Sequence, residues 1–174
     1  MAAPHTTALH RLDHNARRLL PTLISLALTL AVVLPVGLPH WGELAPPLLL
    51  ISVFYWSTVR PDLMPPTAAF VLGLFQDLLT RSPLGSAALV MVLVQWTMRG
   101  QRRYLANRPF FLVWAAFVPV AVIAGALDWL IYIIYNFHVA PVMDALVRVV
   151  LGFFLFPVVA WVVLIPTHRT LPPG

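Results

Sequence analysis

Phe70–Leu84, FVLGLFQDLLTRSPL, is a short apolar stretch with a carboxylate near its end. Gly73, Gln76, Asp77 and Thr80 recur at i, i+3, i+4 and i+7, so a helix gathers them on one face. Phe70, Leu74, Phe75 and Leu78 make the other face apolar. In a water-soluble protein this would be an ordinary amphipathic helix. Its neighbouring segments are almost wholly apolar, which turns the polar face toward protein inside a membrane. An aspartate there costs roughly 2.5–3.5 kcal/mol on insertion scales, so the rest of the chain must supply the reason it stays.

The whole chain supports that setting. Of its 174 residues 60% are hydrophobic and 10% charged, with a mean hydropathy of +0.88. Soluble domains carry roughly 25% charge, so this composition is that of an integral membrane protein. With no cysteine there is no disulfide, no thiolate nucleophile and no Cys-ligated metal or cluster. All 11 basic residues are arginine. A pI near 10.8 invites a nucleic-acid reading, but the arginines cluster at the ends of apolar stretches, where orientation in a bilayer places them. No nucleic acid is expected as a partner; the lipid bilayer is.

Taken in order, 1–18 is a polar tail, whose His5, His10 and His14 lack matched carboxylates for a metal site. Leu19–Leu38 is a first span of 20 residues, too long for a signal-peptide core and without a following A-x-A site; Pro35 and Pro39 end or kink it. Leu44–Thr58 is the second span, with Pro46 and Pro47 suited to its first turn and Tyr55-Trp56 placed as interface anchors. After the stiff loop Arg60–Pro66 come Thr67–Thr80 and Leu84–Met98, about 21–23 Å long as helices. Against a hydrocarbon core of about 30 Å they either span with polar ends in the interface or form a re-entrant hairpin. Arg99–Arg108 reads as the most basic loop. Phe110–Phe137 is the fifth apolar stretch, Asn136–Asp144 a loop, and Ala145–Ile165 the last span. The expected architecture is therefore all-α: one domain over 19–165 of about six transmembrane helices, with a short tail over 166–174.

Orientation follows from the arginines. With the N-terminus inside, Arg11, Arg17, Arg18, Arg60, Arg99, Arg102, Arg103, Arg108 and Arg169 are cytoplasmic, leaving only Arg81 and Arg148 outside. Both termini are then cytoplasmic. This topology sets Asp77, Asp128 and Arg148 at similar depth in the outer half, on three different segments. Each has small or polar company: Gly73 for Asp77, Gly125 and Tyr132 for Asp128, Asp144 and Gly152 for Arg148. Small residues let helices approach, and polar ones hydrogen-bond across the contact. Either the charges pair within the bundle, Asp128 with Arg148 and Asp77 with Arg81 or Arg148, or they line a cavity or partner-docking face; a proton or ion relay is a third use. Catalysis is disfavoured, because the sequence offers no nucleophile–base pair, no His-rich metal constellation and no phosphate-binding loop. No catalytic, cofactor-binding or metal-ligating residue is assigned.

The stretch RPDLMPPTAAFVLGLFQDLLTRSPLGSAALV resembles the MreD family of bacterial rod shape-determining membrane proteins. That family carries a pattern approximating G-x-x-x-D-L-x-x-x-x-x-L-G after a Pro-containing loop, matched here by Gly73, Asp77, Leu78, Leu84 and Gly85, with Arg81-Ser82-Pro83 in the gap. Asp128 is similar to an acidic residue the family carries in its fifth helix. The resemblance implies a non-enzymatic scaffold of the cell-elongation machinery in the bacterial cytoplasmic (inner) membrane. Its partner would be an MreC-like membrane protein, linking MreB filaments to RodA and a class B penicillin-binding transpeptidase. The family also resembles, in architecture, the membrane substrate-binding subunits of energy-coupling-factor vitamin transporters. A small-molecule binder is accordingly the rival function. Residues for partner or pocket contact are Gly73, Gln76, Asp77, Thr80, Pro83, Gly85, Asp128, Tyr132 and Arg148.

Overall fold

Leu48–Val59 (LLLISVFYWSTV) is apolar on every side, and a helix of that kind belongs inside other helices. In the computed structural model, which describes residues 20–31, 47–80, 82–105, 108–137 and 142–170 (backbone only at 102, 144 and 168–170), that is where it lies. Leu49 to Thr58 are buried without a break. We number the helices α1 (Leu20–Ala31), α2 (Leu48–Val59), α3 (Pro66–Thr80), α4 (Ser86–Leu105), α5 (Phe110–Asn136) and α6 (Val142–Val159), the last continuing through a π-turn (Ala160–Leu164) into Ile165–Thr170. The described residues are 89% helix and include no strand.

Helix α2 is the hub, touching α3, α4, α5 and α6. Its tie to α1 is a hydrogen bond between the Ser25 and Ser52 hydroxyls, 2.7 Å. Ser25 and Thr29 lie one turn apart on the buried face of α1 and also donate to the carbonyls of Pro21 and Ser25. Phe54 of α2 meets Phe117 of α5 and Phe156 of α6 edge to face, at 5.3 and 5.8 Å, and Phe117 stacks on Phe156 at 4.7 Å. Such pairs contribute about 0.5–1.5 kcal/mol each beyond their buried area. Because α2 is central, Tyr55 and Trp56 are core residues, 6% and 0% exposed, and not the interface anchors their order in the sequence suggests.

Pro119 and Pro157 sit inside α5 and α6. Pro157 has no N–H to give the carbonyl of Phe153, and the Trp114 indole of α5 donates to that oxygen instead, 3.0 Å. The two rings stack at 4.6 Å. A neighbouring helix thus takes up the freed backbone group, as an apolar setting requires.

Helices α5 and Ala145–Thr167 are long and apolar enough to cross a membrane, with mean hydropathy 2.4 and 2.6. Only 22% and 28% of these stretches are buried inside the protein. Their outer faces carry Ile123, Phe154, Val158 and Trp161, each 58% exposed or more, an apolar surface suited to lipid. α1, α2 and α3 are shorter apolar helices. Two boundaries differ from the sequence expectation. α4 runs through Arg99 and Arg103 to Leu105, because Arg and Gln are good helix formers and no proline intervenes before Pro109. The last helix starts at Val142 and continues past Pro166 to Thr170. The histidine tail, Arg81 and the prolines at 35, 39 and 46 lie outside the described residues.

Candidate functional site

Helices α3 and α4 make the most extensive helix pair among the described residues, and Gly73 sets their closeness. A Cβ at that position would lie 2.6 Å from the Ala88 nitrogen and 2.8 Å from the Ala87 carbonyl carbon, inside any real contact. One turn further along α3, Asp77 is 1% exposed. Its Oδ2 accepts from the Gly85 and Ala88 N–H groups, at 2.9 and 3.4 Å. Its Oδ1 accepts from the Ala87 N–H and the Ser86 hydroxyl, both at 3.0 Å. A helix begins with N–H groups that have no partner within it, and its positive end favours an anion. Asp77 is therefore the N-terminal cap of α4, supplied by the preceding helix. Gly85 stands at φ +97°, a left-handed conformation that glycine adopts without strain, and the Pro83 carbonyl accepts from Ser86 N–H at 3.1 Å. The G-x-x-x-D…L-G pattern thus has a local meaning: close approach, cap and turn of one helical hairpin.

This corrects the pairing with Arg148 considered for Asp77; the alternative partner, Arg81, lies outside the described residues. Its donors come from backbone and Ser86 hydroxyl, not from Arg148. The insertion cost of about 2.5–3.5 kcal/mol is met by bonds to a charged acceptor, each contributing about 1.5–3 kcal/mol.

Beside the capped turn opens a cleft of about 130 Å³. Its polar lining is Gln76, Asp77, Thr80, Ser82, Ser86, Asp128 and Arg148 with Thr29 of α1; Leu49, Met91 and Val149 are among the apolar walls. Thr80 donates to the Gln76 carbonyl and shares a hydrogen bond with Ser82. The structure thus brings together five of the sequence candidates, Gln76, Asp77, Thr80, Asp128 and Arg148. Gly73 lies in the α3–α4 seam and Pro83 and Gly85 form the turn. Tyr132, 45% exposed, is not part of the lining.

Asp128 is the group that stands apart. It is half-buried and feels the charges of Arg148 and Asp77. Yet among the described residues it accepts no hydrogen bond and closes no ion pair, so the direct Asp128–Arg148 pair expected from the sequence is replaced by attraction across the cleft. Sequence reasoning missed Thr29 and Ser86. The first had a signal, since Pro21, Ser25 and Thr29 are spaced by four along a helix that is otherwise apolar but for Thr22. It also missed Gln95, wholly buried in α4, whose amide donates to the Met64 carbonyl at 3.0 Å and ties the α2–α3 turn to α4. Among the described residues no three His, Asp or Glu side chains gather as metal ligands.

Residues 15–164 match the family model described as rod shape-determining protein MreD. No curated protein and no solved structure gives a match.

Proposed function

We propose, from the premise that this chain belongs to the MreD family of rod shape-determining membrane proteins, that it is a non-enzymatic scaffold of the elongation machinery. In this reading the cleft beside the α3–α4 turn, lined by residues of all six helices, is its docking site for an MreC-like membrane protein. Through that partner it would connect MreB filaments to RodA and a class B penicillin-binding transpeptidase. The chain would lie in the bacterial cytoplasmic membrane as six helices with both ends inside, which sets the cleft in the outer half.

The observation that carries this reading is Asp128. A carboxylate in a membrane-spanning helix is costly and needs partners. Asp77 has four donors from its own chain, and among the described residues Asp128 has none. A polar side chain on a partner's helix would supply them, as interhelical hydrogen bonds do in bilayers. The rival reading, a vitamin-sized ligand, is disfavoured by size, because ligand pockets run to roughly 300–1,000 Å³ and this cleft holds about 130 Å³.

The test is co-purification of a co-expressed MreC-like partner in mild detergent. Asp128→Asn should leave the amount of folded protein in the membrane unchanged and lower partner recovery several-fold, with rounding of a rod-shaped host. Unchanged recovery would remove the docking role from the cleft.

A further inference from the structure

The continuation of α4 past its apolar part carries a second site, at the end of the bundle away from the cleft. Ser86–Met98 is the apolar part of α4, and at 1.5 Å per residue it covers about 20 Å of a hydrocarbon core about 30 Å thick. Its N-terminal end is fixed by the Asp77 cap, so the shortfall is felt at the other end. The next turns bring Arg99 and Arg103 to the level where lipid headgroups meet acyl chains, and both side chains are exposed.

These two arginines lie one turn apart, about 5–6 Å between Cβ atoms. Trp96, 72% exposed, precedes Arg99 by three residues and so shares their face. Tyr104, 74% exposed, flanks it. Among the described residues neither guanidinium makes a hydrogen bond or an ion pair. The chain has no acidic residue between Asp77 and Asp128, so no counter-ion comes from the adjoining sequence. Asp62, in the α2–α3 turn at the same end, is engaged within the chain. A planar guanidinium matches phosphate in a two-pronged contact, and an exposed tryptophan at this depth suits the boundary between headgroup and acyl chain.

We infer that Arg99 and Arg103 hold the phosphate of one anionic phospholipid of the phosphatidylglycerol type, with its acyl chain lying along Trp96. A zwitterionic lipid brings its own cation to the same phosphate and is held less well. The lipid would complete a helix whose apolar part is too short to span alone, letting the thin α3–α4 hairpin sit beside the longer α5 without a gap in the bilayer.

The test reads Trp96 in the full-length protein reconstituted in bilayers, as the difference in fluorescence between wild type and Trp96→Phe. Brominated phosphatidylglycerol and brominated phosphatidylcholine, each at the same mole fraction, are the probes. The expected result is quenching of the Trp96 component at least threefold stronger with the anionic lipid. That preference should vanish in Arg99→Gln/Arg103→Gln and persist in Arg17→Gln/Arg18→Gln, which removes equal charge elsewhere. Equal quenching by the two lipids in wild type would overturn the proposal and leave the patch to a protein contact. Loss of the preference in both double variants would overturn it too, as the mark of a diffuse field. Gel filtration and helical circular dichroism matching wild type ensure that the variants compared are folded.

Discussion

At the scale of single residues, the charge that first draws the eye is not the one left without a bond among the described residues. Asp77 looks from the sequence like a polar face in search of a partner. Its geometry makes it the cap of α4, with four donors within 3.4 Å. The helical face was legible in the spacing, but the cap was not. Capping rules look for Ser, Thr, Asp or Asn immediately before a helix, whereas here the acceptor stands on the previous helix, eight positions before Gly85. Asp128 was legible as a charge inside the bundle, and its want of a bonding partner among the described residues needed the fold. Asp77→Asn turns an amide NH₂ toward N–H donors and removes the charge. It should lower stability by about 2–3 kcal/mol, seen as a fall of about 5 °C or more in the melting temperature of detergent-solubilised protein. Gly73→Ala should be comparably harmful, because overpacking against backbone costs typically 1–3 kcal/mol and Ala88 cannot retreat without moving α4. Wild-type melting in either variant would contradict the hairpin account.

Among the elements, the apolar runs announced the helices, and their ends and neighbours were harder to read. The sequence placed α3 within one residue, since Pro66 opens it and Pro83 turns the chain after it. It stopped α4 at the arginines, because charge reads as loop when a bilayer is assumed, although arginine favours helix. It set Tyr55-Trp56 at a surface because membrane anchors look the same in sequence as aromatics of a central helix; only the packing of α2 among α3, α4, α5 and α6 separates them. The bond from Trp114 to the carbonyl freed by Pro157 was invisible, being a contact across 39 residues. It carries a testable coupling. Trp114→Phe, which preserves an aromatic ring opposite Phe153, should cost about 1 kcal/mol. In a Pro157→Ala background, where residue 157 regains an N–H for that carbonyl, the same change should cost less. Equal costs in the two backgrounds, measured by thermal or denaturant unfolding, would show that the indole is not the substitute donor.

Over the whole molecule, composition was decisive for class: an all-helical protein with exposed apolar faces on its two longest helices. The proposed position of the cleft in the outer half rests on the arginine distribution, which an N-in arrangement would divide as nine cytoplasmic against two. Reporter fusions after Arg108 and after Gly174 should both report cytoplasm; a periplasmic signal at either would contradict the outer-half position of the cleft. The account's central claim is that this cleft, and no other face, receives the partner. The chain has no cysteine, so a single one can be placed at will. Thr80→Cys sits on the exposed rim of the cleft, and Val122→Cys on an exposed face of α5 outside the cleft lining. Short bifunctional cross-linking in membranes containing an MreC-like partner should give an adduct from Thr80→Cys that Asp128→Asn suppresses, and little from Val122→Cys. Adducts of equal yield from both positions, or from Val122→Cys alone, would contradict the claim.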